Sequence, residues 1–295
     1  MATATPLPEL AAPQQAALTA GRPTRARPAG TQGRAGLSAS ALPAGLLIVF
    51  LAAPLVGMVG RATTTGGLLS ALGRPVVLES LRISLLTTTI VLGLTLALGS
   101  PLALLLARRR FPGILVVDSL IDLPIVLPPA VAGLALLLTF GRRGLLGSQL
   151  SAVGIELPFT TAAVVLASLF VAAPFYVRAA RAGFLAIPRE IEESARVEGA
   201  TEWQVFRYVT VPVAAPSLFG GAVLAWARAL GEFGATIMFA GQFAGRTQTM
   251  PLAIYAALET DTDAALGLSL LLLATSFVLL LLFRTVLSVS AESAS

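Results

Sequence analysis

Arg181 to Pro216 reads RAGFLAIPREIEESARVEGATEWQVFRYVTVPVAAP, a charge-dense block set between two apolar stretches that are each long enough to cross a bilayer. Pro188 fits the start of a helix, and Glu190, Glu192 and Glu193 sit where a helix N-terminus favours negative charge. Gly199 supplies a left-handed stop. Thr201-Glu-Trp-Gln204 then reads as a capping box opening a second short helix that Pro212 ends. The expected unit is helix, glycine turn, helix, lying outside the membrane with Ile187, Ile191, Trp203, Phe206 and Val209 available for one apolar docking face.

Composition places that block in an integral membrane protein. Hydrophobic residues make up 56% of the 295-residue chain and charged residues only 12%, and mean hydropathy is +0.86. All 20 basic residues are Arg, with no Lys, His or Cys. A Walker A loop needs its Lys to reach the phosphates, so this chain cannot hydrolyse ATP by the P-loop route, and any ATP and Mg that drive it must be bound by a partner. Without His and Cys the usual zinc, haem and thiol chemistry is lost, together with the commonest general base. We therefore expect no cofactor, metal or catalytic residue in this chain. The formal charge of +5 does not signal nucleic acid, because the arginines cluster at the ends of apolar segments, facing lipid headgroups and water.

An all-α fold with about six transmembrane helices follows, at about 44–60, 81–107, 114–140, 159–182, 214–240 and 264–284. Residues 1–42, rich in Ala, Pro, Thr, Gly and Arg, read as a disordered basic cytoplasmic tail. The transmembrane domain covers 43–285, including the loop 183–213, and 286–295 form a short C-terminal tail. With the N-terminus in the cytoplasm, 13 arginines fall inside (22, 25, 27, 34, 108–110, 178, 181, 189, 196, 207 and 284) and 5 outside (61, 74, 142, 143 and 246), as the positive-inside rule requires. That orientation places the charged block in the cytoplasm.

Two spans are expected to be broken. The third holds Asp118-Ser-Leu-Ile-Asp122-Leu-Pro124-Ile-Val-Leu-Pro128-Pro129-Ala-Val-Ala-Gly133, whose prolines remove backbone donors and free carbonyls. Irregular backbone at membrane depth is tolerated against protein or a water-filled path, so this span is expected to line a translocation pathway, a packing kink being the alternative. Asp118 and Asp122, one helical turn apart, are expected to cap the broken segment or pair with nearby arginines. The fifth span holds Arg228-Ala-Leu-Gly-Glu232-Phe-Gly-Ala-Thr236, in which Arg228 and Glu232 share a helix face and should pair. Gly231 and Gly234 beside them permit close helix approach or unwinding. The candidate path or gate residues are thus Asp122, Pro124, Pro128, Pro129, Arg228, Glu232 and Thr236.

The spacing Glu193-Ser-Ala195-Arg-Val-Glu-Gly199, nine residues, then Val209-Thr-Val211-Pro212 resembles the EAA loop of the membrane subunits of bacterial ABC importers. Ser194 replaces the usual central Ala, and Val209 and Val211 replace bulkier aliphatics. The resemblance implies a type I importer-like permease in which Glu193, Ala195, Gly199, Val209 and Pro212 couple transport to a separate ABC ATPase subunit. It further implies an extracytoplasmic oxyanion-binding protein and a second permease copy. One loop per chain fits a homodimer, and a heterodimer with a related permease is equally allowed.

The segment LGEFGATIMFAG, continued by Gly245-Arg246-Thr247-Gln-Thr249-Met-Pro251-Leu-Ala-Ile-Tyr255, is similar to molybdate permeases, as is Leu123 to Gly133. Sulfate and tungstate permeases are the neighbouring alternatives, and Gln242 stands where the molybdate permeases carry Asn. The implied function is the membrane-spanning permease of an ATP-driven molybdate importer. A secondary transporter or channel shares the hydropathy pattern but has no need of an ATPase dock, and a membrane enzyme lacks the residues for its chemistry.

Overall fold

The computed structural model describes residues 32–65 and 73–292. Its elements, all helical among those residues, are α1 (Gln32–Thr65), α2 (Pro75–Arg108), α3 (Ile114–Val126), α4 (Pro129–Phe140), α5 (Gly147–Ala152), α6 (Thr161–Leu185), α7 (Arg189–Val197), α8 (Glu202–Val205), a π turn (Phe206–Thr210), α9 (Val211–Leu230), α10 (Gly234–Ala240), α11 (Met250–Leu258) and α12 (Thr262–Glu292). The chain forms two compact units, one ending at Leu55 and one from Val56 onward, and α1 runs through the boundary. The helix α1 begins at Gln32, inside the stretch read as a tail, and residues 1–31 of that reading lie outside the described residues. Likewise α12 continues to Glu292, so residues 286–292 prolong the last helix.

Five helical segments are long and apolar enough to span a membrane: Ala41–Ala62, Pro75–Arg108, Thr161–Leu185, Glu202–Leu230 and Thr262–Phe283. The pair α3 and α4, bent by 118°, passes the same test when taken together and makes a sixth candidate where the two halves count as one broken span. The bend has a local cause. Leu127 and Pro128 each precede a proline, which bars the helical region, and both adopt extended backbone with ψ 134° and 135°. Pro124, by contrast, stays buried inside α3 and does not break it.

At the centre of the second unit, α6 packs against α2 and α9 through Val91, Ala103, Leu106, Tyr176, Val177, Ala180, Phe184 and Ala225. Small residues bring the helices close. A Cβ on Gly183 would lie 2.5 Å from Ser217 Cβ, and one on Gly221 would lie 2.7 Å from Ala179 Cβ. A second cluster joins α4, α6 and α10 through Ala132, Leu136, Val164, Ala167, Val171, Ala235 and Phe239. Three buried hydroxyls on α2 find partners within the fold: Thr87 and Thr88 donate to the carbonyls of Ile83 and Ser84, and Ser84 Oγ accepts from the Met250 N–H at 2.8 Å, while the Thr95 hydroxyl has no partner among the described residues.

The expected stop at Pro212 is not there. The second short helix passes through the π turn into α9, with Pro212 in the first turn of α9 and exposed. Within the turn the Val211 N–H bonds the carbonyl five residues back, on Phe206, so the ladder has already changed register where Pro212 has no donor to give. The buried positions follow suit, with Val205, Thr210 and Ala214 spaced by five and then four.

Candidate functional site

The charged block folds as two short helices around one glycine. Pro188 is the N-cap of α7, Glu190 and Glu192 lie in its first turn, and Gly199 turns the chain with φ +94° and open space where a Cβ would point. Strain from the left-handed backbone, with no crowding involved, is what excludes other residues there. The capping box is formed: Thr201 Oγ1 accepts from the Gln204 N–H, and Gln204 Oε1 accepts from the Thr201 N–H at 2.8 Å. Arg196 donates to both oxygens of Glu202, at 2.7 and 3.1 Å, tying the helices across the turn. Glu202 pushes the Arg196 guanidinium further up in pKa by accepting those bonds.

Ala195, Gly199 and Val209 line one shallow depression of about 370 Å³ with Glu198, Ala200, Gln204 and Tyr208. Glu193 and Pro212 lie outside its lining, both exposed. The expected single apolar face divides. Ile187 is buried in the main core, whereas Ile191 and Trp203 are exposed, Trp203 lies 5.7 Å from Phe206 by ring centroid, and Val197 and Tyr208 add exposed apolar surface. Ile187 turns inward because it precedes α7 and closes the end of α6.

Sequence reasoning did not separate Glu192 from its neighbours. Glu192 is buried, and its Oε1 accepts from Arg108 Nη2 at 2.6 Å and from the Thr210 hydroxyl at 2.8 Å. Glu190, Glu193 and Glu198 are exposed. The four glutamates between positions 190 and 198 look alike in sequence, and only their tertiary neighbours distinguish them.

The second group of residues lies at the broken spans. At the end of α9, Arg228 Nη1 pairs with Glu232 Oε2 at 2.7 Å, with side chains 28% and 1% exposed. Glu232 lies past the last turn of α9, and its Oε1 accepts from the Ala235 N–H at 2.8 Å. One pair therefore places a cation at the C-terminus of α9 and a carboxylate at the N-terminus of α10, each opposing the local helix dipole. Thr236, in the next turn, is fully buried and its hydroxyl has no partner among the described residues.

The two breaks meet. A Cβ on Gly234 would lie 2.6 Å from Pro129 Cβ, and one on Gly133 would lie 2.7 Å from the Ala235 carbonyl oxygen. Pro128 and Pro129 at the start of α4 thus sit beside the start of α10, with Arg228, Glu232 and Thr236 nearby in sequence. Asp122 and Pro124 belong to α3 instead. Asp122 is paired with Arg178, and Asp118 with Arg181 at 2.6 Å, so both aspartates join α3 to α6.

On the far side, the loop from Gly241 to Thr249 is held by Thr247, which accepts from the Phe243 N–H at 2.9 Å, and by Thr161, which donates to the Arg246 carbonyl at 2.9 Å. Gln242 is exposed. The Asp261 carboxyl is held below the usual range by the Ala264 N–H and then by Arg74, which it pairs with at 2.7 Å. No group of three or more acidic, His or Cys side chains that could hold a metal occurs among the described residues.

Residues 99–291 match the family model described as "Binding-protein-dependent transport system inner membrane component". Among curated proteins, the chain is 43% identical over 240 residues to the molybdenum transport system permease protein ModB of Mycobacterium tuberculosis, covering 81% of this chain and 90% of that one. It is 37% identical over 219 residues to ModB of Escherichia coli K12, covering 73% and 96%. It is 40% identical over 195 residues to the molybdate/tungstate permease protein WtpB of Thermococcus kodakarensis, covering 66% and 74%. Among solved structures, a bacterial ABC transporter that imports the polysaccharide alginate aligns with TM-score 0.70 at 17% identity over 87% of this chain and 95% of that one. The MetNI methionine transporter aligns with TM-score 0.57 at 18% identity over 73% and 96%. These two likenesses establish the fold.

Proposed function

We propose that this chain, which belongs to the family of binding-protein-dependent transport system inner membrane components and is a multi-pass permease without ATPase activity of its own, carries molybdate across the membrane. The curated relatives named for molybdenum transport support that cargo, and the relative named for molybdate and tungstate supports tungstate as a second one. ATP and Mg belong to a separate ATPase subunit. An extracytoplasmic oxyanion-binding protein delivers the cargo, and two copies of this chain form a two-fold pair with their N-termini in the cytoplasm. The absence of a deep cationic cluster among the described residues fits a low-affinity path, in which preference for the oxyanion lies in the binding protein.

The observation that carries this reading is the Gly199 turn. It holds Ala195 and Val209 around one depression, and its second helix runs without a stop into the span that breaks at Glu232. Displacing α7 and α8 when the ATPase subunits close is therefore a displacement of α9, and the α4–α10 contact can switch between inward-open and outward-open arrangements.

Reconstitution with and without the ATPase tests it. The chain alone should hydrolyse no ATP, and the full assembly should import molybdate. Gly199→Val should leave membrane insertion intact while weakening the dock by about 1–2 kcal/mol, about tenfold in affinity for the ATPase. Hydrolysis by the pure chain, or unchanged uptake and ATPase capture in Gly199→Val, would refute the assignment.

A further inference from the structure

We infer that Glu192 is the positioning residue that ties the docking helix α7 to the second and fifth spans at once, so that one carboxylate transmits displacement of the docking unit to both. The inference rests on the coupling role given above to this block. It goes further by assigning the transmission to a residue outside the five motif positions.

The physical case starts with burial. Glu192 is 6% exposed although it lies on a helix whose other carboxylates face water. A carboxylate removed from water is costly unless it is paired and hydrogen-bonded. Here both requirements are met by two different elements: Arg108, the last residue of α2, and Thr210, the last residue of the π turn that opens α9. Both donors reach the same oxygen, so α7 cannot slide relative to either span without losing one of the two bonds, which lie at the wall of an open depression of about 790 Å³.

The π turn fits this role. By widening the spacing of buried positions from four to five between Val205 and Thr210, it turns Thr210 toward α7 while Val205 stays buried. A regular helix would place the fourth residue on from Val205, the half-buried Val209, on that face and offer no donor to the carboxylate. Arg108 is equally committed. Its side chain is only 18% exposed, and Glu192 is its ion-pair partner. The exposed docking surface around Ile191, Val197 and Trp203 is thus separate from the buried tie.

The test uses the full assembly in proteoliposomes and reads molybdate imported per ATP hydrolysed, with ATPase capture measured in parallel. Glu192→Ala should retain capture, since the exposed surface is untouched, and lower the import-to-hydrolysis ratio at least tenfold. Glu192→Gln, which can still accept from both donors, should fall between it and the unmutated chain. Thr210→Val, which keeps the shape and loses one donor, should lower the ratio by a smaller factor. The reciprocal exchange Arg108→Glu with Glu192→Arg should recover part of the Glu192→Ala loss. An unchanged ratio in Glu192→Ala, or a loss of import that only follows loss of captured ATPase, overturns the tie. If Glu192→Ala does not accumulate in the membrane, unchanged ratios in both Glu192→Gln and Thr210→Val overturn it. Failure of the unmutated assembly to import molybdate is a different result, and it sinks the proposed function itself.

Discussion

The third span is broken by backbone restriction, whereas the fifth is broken beside glycines and held by charge. In the third, Leu127 and Pro128 are each forced out of the helical region by the proline that follows, and the Pro128 carbonyl accepts from Val131 and Ala132 at 2.9 and 3.1 Å. Prolines also remove donors that a new helix start would leave open, so this break makes little demand on side chains. In the fifth, the start of α10 leaves ordinary N–H groups to be satisfied, and the Glu232 carboxylate takes the one on Ala235 while Arg228 balances its charge. This break, made without proline, carries a buried ion pair with it.

That difference sets the order of mutational effects. The largest should come from Glu232→Ala, which removes the cap of α10 and leaves Arg228 without its partner. We expect a loss of about 3 kcal/mol in stability, read as reduced thermal stability of the purified chain. Arg228→Ala should be comparably harmful, and the double variant should recover part of the loss. A double variant no better than the worse single variant would show that the two side chains do not compensate one another.

Next comes the place where the breaks touch. Gly234→Val drives a side chain into Pro129 and should cost about 2 kcal/mol, with import falling along with stability. An unaffected Gly234→Val protein would mean that α4 and α10 do not meet as described. The smallest effect is expected from Pro129→Ala. The close approach of Gly133 to Ala235 still holds α4 against α10, so the bend should persist and stability should change by less than about 1 kcal/mol. A Pro129→Ala loss as large as that of Glu232→Ala would erase the distinction between the two kinds of break.

Local stereochemistry explains what was legible in advance. The apolar runs fixed the number of spans and most of their limits, because crossing a bilayer as a helix needs only length and hydropathy. The Pro128-Pro129 break, the Gly199 turn and the Thr201–Gln204 capping box were equally readable, since each depends on residues within four positions of one another. So was the Arg228–Glu232 pair, one helical turn apart.

Other features required the folded chain. Pro212 looked like a stop, but a π turn had shifted the hydrogen-bond register before it, and the buried positions Val205 and Thr210 follow that shift. Pro124 resembled its two companions and yet lies buried within a continuous helix. Asp118 and Asp122 acquired definite arginines only through the packing of α3 on α6. The choice of Glu192 among the glutamates of its block was likewise decided by Arg108, 84 positions away in sequence. Sequence alone determined the apolar spans, the two short helices around Gly199 and the sites of local backbone restriction, because sterics and bilayer thickness act over a few residues or on a whole segment at once. Which carboxylate is buried, which breaks touch and where a helix truly ends were settled by tertiary structure, because burial and pairing depend on side chains that distant parts of the chain bring into contact.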